Sequence, residues 1–149
     1  MNLRSTKGHD LYLDGQPTKN LEIINSKTII KLHPVDFPGI KPKLLVSEGE
    51  AIKKGQPVYF DKKNPDIMFT SFSSGHVSKI VYGERRTILS IDIQINDNQD
   101  EVCYSKYEPS NIKTLKKENI KELLCCSGYW PCIRRRPFSK IAEPSIMPK

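Results

Sequence analysis

The chain has 149 residues, 37% of them hydrophobic, with 11 prolines, 8 glycines and a formal net charge of +7. That length holds one ordinary domain, or one small domain with a structured extension, and the composition favours strands and turns over long helices. A membrane-spanning helix needs about twenty apolar residues, and the longest apolar runs here are only a few residues, such as Leu123-Leu124-Cys125-Cys126, so none is expected.

Residues 1–41 read as an irregular lead-in with two short strands. Asp10-Leu11-Tyr12-Leu13 alternates before the turn signal Asp14-Gly15, and Thr28-Ile29-Ile30-Lys31-Leu32 is β-branched. Pro34, Pro38 and Gly39 then interrupt the chain. From Pro42 to Ile95 the pattern is regular. Strands are predicted at Leu44–Val46, Ala51–Ile52, Pro57–Phe60, Ile67–Thr70, His76–Tyr82 and Thr87–Ile95. Between them stand the turns Glu48-Gly49-Glu50, Lys53-Lys54-Gly55-Gln56, Ser73-Ser74-Gly75 and Gly83-Glu84-Arg85-Arg86, and a polar loop at Asp61–Asp66. Short strands with a turn every ten residues or so indicate a sandwich or barrel and not a parallel sheet.

Residues 96–149 change character. Asn96–Glu101 is an acidic connector, and Leu115, Ile120, Leu123 and Leu124 fall near helical spacing, with Gly128 where the helix would end. Trp130-Pro131-Cys132-Ile133 reads as a second short helix or turn, and Arg134–Lys149, broken by Pro137, Pro144 and Pro148, as an extended basic tail. The charge is concentrated here: residues 1–105 carry 14 basic and 13 acidic side chains, residues 106–149 carry 10 and 4.

Three of the four cysteines, Cys125, Cys126 and Cys132, form a C-C-x5-C cluster that lacks the C-x2-C spacing of zinc or iron–sulfur sites, and His9, His33 and His76 are scattered. Reduced, structural thiols are expected. No G-x-G-x-x-G follows a strand, and no G-x-x-x-x-G-K-[ST] is present, so the chain shows no nucleotide-binding motif and no catalytic constellation of its own. Met1-Asn2-Leu3-Arg4-Ser5 has no apolar stretch of the secretory kind, and a cytosolic chain is expected.

Glu48-Gly49-x-x-Ile52-x-x-Gly55-Gln56-x-Val58, followed by Ser74-Gly75-x-Val77-x-x-Ile80, resembles the hammerhead of biotinyl and lipoyl carrier domains. Each glycine can take the positive φ of a tight turn, and each following Val or Ile drops into the core. In a carrier the modified lysine sits at the tip of the central hairpin, where this chain has Asp61-Lys62-Lys63. Gly55 to Lys62 is shorter than lipoyl domains use, and Lys62 lacks the flanking methionines of biotin carriers. A solvated turn is the expectation, with a carrier protein as the alternative.

Five ordered markers widen the resemblance: Lys7-Gly8-His9-Asp10-Leu11, Asp61-Lys62-Lys63-Asn64-Pro65, Gly83-Glu84-Arg85-Arg86, Ser127-Gly128-Tyr129-Trp130 and Arg136-Pro137-Phe138-Ser139-Lys140. Together they resemble the N-terminal part of the A subunits of sodium-translocating NADH:quinone reductases, and the β module is shared with the related C subunits of Rnf electron-transport complexes. The resemblance implies a mainly β, barrel-sandwich hybrid module with a small α-helical C-terminal extension that leads toward a further domain, the chain being a fragment of a longer one. It implies a peripheral position on the cytoplasmic side of the bacterial inner membrane, among membrane subunits near the quinone-reducing end. This chain would bind no cofactor itself, whereas NADH, FAD and FMN, iron–sulfur centres and ubiquinone would belong to the complex.

The segment Trp130 to Lys140 is the candidate contact surface for a partner or quinone, through Trp130, Arg134, Arg135, Arg136, Phe138 and Lys140. Aromatic faces and guanidinium groups there suit lipid phosphates, acidic partner groups or a quinone carbonyl. Nucleic acid is the other rival for a basic run, but the aromatics do not repeat as a stacking platform would.

Overall fold

The computed structural model describes residues 14–21, 28–98, 100–104 and 109–146. The strand expected at Asp10–Leu13 lies outside the described residues. Seven strands build the body: β1 (Ile29–Leu32), β2 (Pro42–Leu44), β3 (Ala51–Ile52), β4 (Pro57–Asp61), β5 (Asn64–Thr70), β6 (Gly75–Tyr82) and β7 (Ile88–Ile95). They form two antiparallel sheets, ordered β1-β7-β6-β3 and β2-β4-β5. The core between them holds Ile52, Val58, Ile67, Val77, Ile91 and Ile93, each no more than 3% exposed. Burial of each such side chain contributes about 1.5–3 kcal/mol. This is the two-sheet body that the strand and turn spacing predicts, arranged as the barrel-sandwich hybrid that the family resemblance implied.

Both hammerhead turns close as their glycines require. Gly49 and Gly55 sit at φ +84° and +82°, a region that costs an L side chain energy. The Gly49 amide donates to the Val77 carbonyl (2.7 Å) and the Gly55 amide to that of Ser71 (2.8 Å), so each turn is stitched to a neighbouring strand. In β6 the pairing slips between Val77 and Lys79, which lets Val77 and Ile80, three residues apart, both face the core. Under the second sheet Tyr59 stacks on Phe69 (4.5 Å between centroids), and Phe37 meets Phe69 edge-on at 4.8 Å.

Three expectations need correction. The strand expected at Leu44–Val46 lies at Pro42–Leu44, an edge where proline is tolerated. The polar loop at Asp61–Asp66 is a two-residue turn, Lys62-Lys63, because Asp61 pairs with Asn64 and β5 starts there. Buried Asp61 accepts from the amides of Lys41 (2.8 Å) and Lys63 (3.1 Å), which leaves the chain no slack for a longer loop. The tail from Arg134 is not simply extended: β8 (Arg134–Arg135) and β9 (Lys140–Ile141) form a small hairpin. Before it come a 3-10 helix at Pro109–Thr114, the expected helix α1 (Lys117–Cys126) and a 3-10 turn at Trp130–Cys132. Helix α1 lies on β5, and Trp130 and Ile141 pack against the β core.

Candidate functional site

The β8–β9 hairpin carries five of the six expected contact residues, and the geometry divides their roles. Trp130, just before it, is half-buried and is placed beneath the hairpin, not on its surface. Its indole Nε1 donates to the Ala142 carbonyl at 2.7 Å, so it latches the outgoing strand to the core. Arg134 lies over the Phe37 ring, 5.0 Å from guanidinium carbon to centroid, and its Nη1 donates to the Ser139 carbonyl at 3.1 Å. That guanidinium is committed to holding the hairpin shut.

Arg135, Arg136, Phe138 and Lys140 face outward and, with Glu143, line a shallow hollow of about 260 Å³. Arg135 approaches Glu143 at 3.9 Å, a contact with both side chains about half exposed and therefore weak. Arg136 and Lys140 form no ion pair among the described residues. Phe138, at the turn, is 76% exposed, an aromatic ring left in water between cations.

A second feature lacked a spacing signal. Phe72, 70% exposed in the loop between β5 and β6, stands between two adjoining hollows of about 220 and 330 Å³, which share Thr70, Phe72, Gly128 and Cys132. The sequence hinted at it with no more than an aromatic within a serine-rich turn. A third hollow, about 460 Å³, lies between β5 and α1 and is lined by Asp66, Met68, Glu118, Glu122, Cys125 and Cys126. Burial, with a smaller contribution from Asp66, pushes the Cys125 thiol up to about 11, so it stays protonated near neutral pH. Among the described residues no three His, Cys, Asp or Glu side chains are grouped to hold a metal ion, and no helix is long and apolar enough to cross a membrane. At the β4–β5 turn Lys62 and Lys63 are both exposed, and Lys63 donates its ammonium to the Gly39 carbonyl.

Two family models match the chain. The NqrA N-terminal barrel-sandwich hybrid domain matches residues 3–96, and the NqrA second alpha/beta domain matches residues 115–149. Similar curated proteins carry the name of the A subunit of Na(+)-translocating NADH-quinone reductase. That of Haemophilus influenzae (strain PittEE) is 36% identical over 140 residues, covering 94% of this chain and 31% of the relative. That of Marinomonas sp. (strain MWYL1) is 38% identical over 144 residues, covering 96% and 32%. That of Yersinia pestis bv. Antiqua (strain Angola) is 33% identical over 147 residues, covering 99% and 33%. The chain thus spans about a third of the length of these relatives.

Proposed function

The chain belongs to the NqrA family, the A subunits of Na(+)-translocating NADH-quinone reductases, and from that premise we propose that it works as a peripheral, non-catalytic part of such a complex. In this reading it sits on the cytoplasmic side of the membrane, at the quinone end, and positions neighbouring membrane subunits while NADH oxidation and sodium export take place elsewhere in the assembly. NADH, flavins and iron–sulfur centres belong to those neighbours.

The observation that carries the reading is the family match over residues 3–96 together with a basic hairpin whose outward Arg136 and Lys140 form no ion pair among the described residues. Trp130 and Arg134 hold that hairpin to the β core, so Arg136, Phe138 and Lys140 are presented on a rigid support. Ubiquinone contact at this hairpin is the finer part of the proposal, resting on the exposed Phe138 ring as a stacking face and on guanidinium donors suited to a carbonyl.

The test uses the full-length protein in its complex. The charge reversals Arg136→Glu and Lys140→Glu, together, are expected to lower the amount of it that co-purifies with the membrane subunits, and a photoreactive quinone analogue is expected to label residues 130–140. Unchanged co-purification would reject the docking role, and labelling confined to distant segments would reject quinone contact.

A further inference from the structure

The buried serine hydroxyls of this fold all have partners. Ser71, Ser73 and Ser74 donate to the carbonyls of Ser73, Ser74 and Asn98, and Ser90 donates to the Asp92 carboxylate. Tyr59 departs from that pattern. It is 2% exposed in β4 with its ring stacked on Phe69, yet its hydroxyl meets no hydrogen-bond partner among the described residues. A buried phenol ordinarily finds one. Among the described residues no fully enclosed side-chain oxygen is left unsatisfied. The Tyr59 hydroxyl therefore reaches open space, and the space it lines is the hollow of about 220 Å³ beside Phe72.

The rest of that hollow restricts what can meet the hydroxyl. Its walls are largely apolar, with Leu32, Phe37, Phe69, Phe72 and Pro131. Polar groups around it are already engaged. Lys31 pairs with Asp92 at 3.1 Å, His33 Nδ1 lies 3.1 Å from the Leu89 carbonyl, and the Thr70 hydroxyl donates to the Ser127 carbonyl. The exposed Asp36 carboxylate on the same lining disfavours an anion. Burial, with a smaller contribution from Asp36, pushes the Tyr59 phenol up, so it stays protonated and is a donor near neutral pH. A flat, neutral ring with an oxygen acceptor in its plane matches these features, and so small a space takes one ring and not a dinucleotide.

We propose that Tyr59 is the hydrogen-bond donor that seats a quinone ring in this hollow, its hydroxyl donating to one ring carbonyl while the apolar walls exclude water. The inference rests on the reading that this chain meets ubiquinone. It shifts the contact from the outward face of the β8–β9 hairpin to the hollow walled by Pro131, just ahead of that hairpin. The adjoining hollow of about 330 Å³, which shares Phe72, leaves room for the ring's substituent chain. A single donor in an apolar site discriminates well, because a ring without oxygen leaves it unpaired.

The test uses the full-length protein in its complex, a photoreactive short-chain ubiquinone as label and ubiquinone-1 as competitor. Tyr59→Phe keeps the ring on Phe69 and removes only the donor. The ubiquinone-1 concentration that halves labelling is expected to rise roughly fivefold to tenfold in the variant. Its melting temperature is expected to match the parent's, since the hydroxyl bonds nothing in the fold. Labelled peptides of the parent are expected to fall within residues 31–37, 69–72 and 128–132. Parent-like protection of the variant would overturn the proposal, as would a lower melting temperature, which would assign the hydroxyl to the fold. Labelling confined to residues 134–140 and unaffected by Tyr59→Phe would keep quinone contact at the hairpin and reject the seat at Tyr59. If the parent took no label in this chain, the quinone reading itself would fall and the inference with it.

Discussion

At the scale of single residues, Asp92 in β7 is a nearly buried carboxylate held by two partners. Burial alone would push its carboxyl up, but the Ser90 hydroxyl and the Lys31 ammonium outweigh burial and hold it below the usual aspartate range. Ser90 donates at 2.7 Å, and Lys31 approaches at 3.1 Å. A carboxylate whose value falls on folding stabilises the native state above its unfolded value of about 3.9, and that contribution disappears as pH falls through the folded value. Asp92→Asn is therefore expected to flatten the acid limb of stability below about pH 4. Urea midpoints measured across that range would refute the assignment if the variant kept the parent's slope. Gly75 makes a different demand. An added Cβ there would lie 1.9 Å from the Gln94 carbonyl oxygen of β7, and the displaced atoms are backbone. Gly75→Ala is expected to destabilise by roughly 3 kcal/mol, read as a lower urea midpoint at unchanged slope.

At the scale of elements, α1 and the hairpin show how a weakly coded segment is held. Lys116 stands at the N-cap of α1 with an extended backbone (φ −67°, ψ +145°) and no side-chain cap. A carboxylate there would accept from the first-turn amides and meet the positive end of the helix dipole. Lys116→Asp is expected to raise stability by about 1 kcal/mol, detectable as a higher melting temperature. One latch of the hairpin is the indole bond from Trp130 to Ala142. Trp130→Phe keeps most of the apolar packing and removes the donor, which costs about 1 kcal/mol. Faster amide exchange over residues 133–142, with β6 and β7 unchanged, is the expected signature; uniform acceleration would show instead a global loss.

At the scale of the whole molecule, the C-terminal segment behaves as part of the β body. Helix α1 packs on β5, the Thr70 hydroxyl donates to the Ser127 carbonyl (3.4 Å), and Trp130 and Ile141 pack against the β core. These contacts predict one cooperative transition. Fluorescence of the single tryptophan and circular dichroism of the sheets should give the same urea midpoint, and an earlier fluorescence transition would show that residues 109–146 unfold on their own. The same packing joins the two basic tips. His33 Nδ1 lies 3.1 Å from the Leu89 carbonyl beside the Arg85-Arg86 turn, and Phe37, four residues on, carries Arg134 of the hairpin. The hairpin and the β6–β7 turn thus flank one short segment of the fold.

The β module was legible in the sequence because its signals are local. Gly49 and Gly55 are tied to Ile52 and Val58 at offsets that allow one kind of turn each, and the β-branched alternation of residues 75–95 marks which side chains face inward. The end of α1 ahead of Gly128 was local too. The rest depends on partners distant in the chain. The hairpin at Arg134–Ile141 exists because Trp130 reaches Ala142 and Arg134 reaches Phe37, nearly a hundred residues earlier. The turn at Lys62-Lys63 is tight because Asp61 is bonded to the Lys41 amide. The sequence alone thus determined a two-sheet β body of the NqrA kind and a basic C-terminal segment. Which arginines brace the fold, and which form no ion pair among the described residues, was decided only by tertiary structure, because a guanidinium's role is set by the ring, carbonyl or carboxylate it meets.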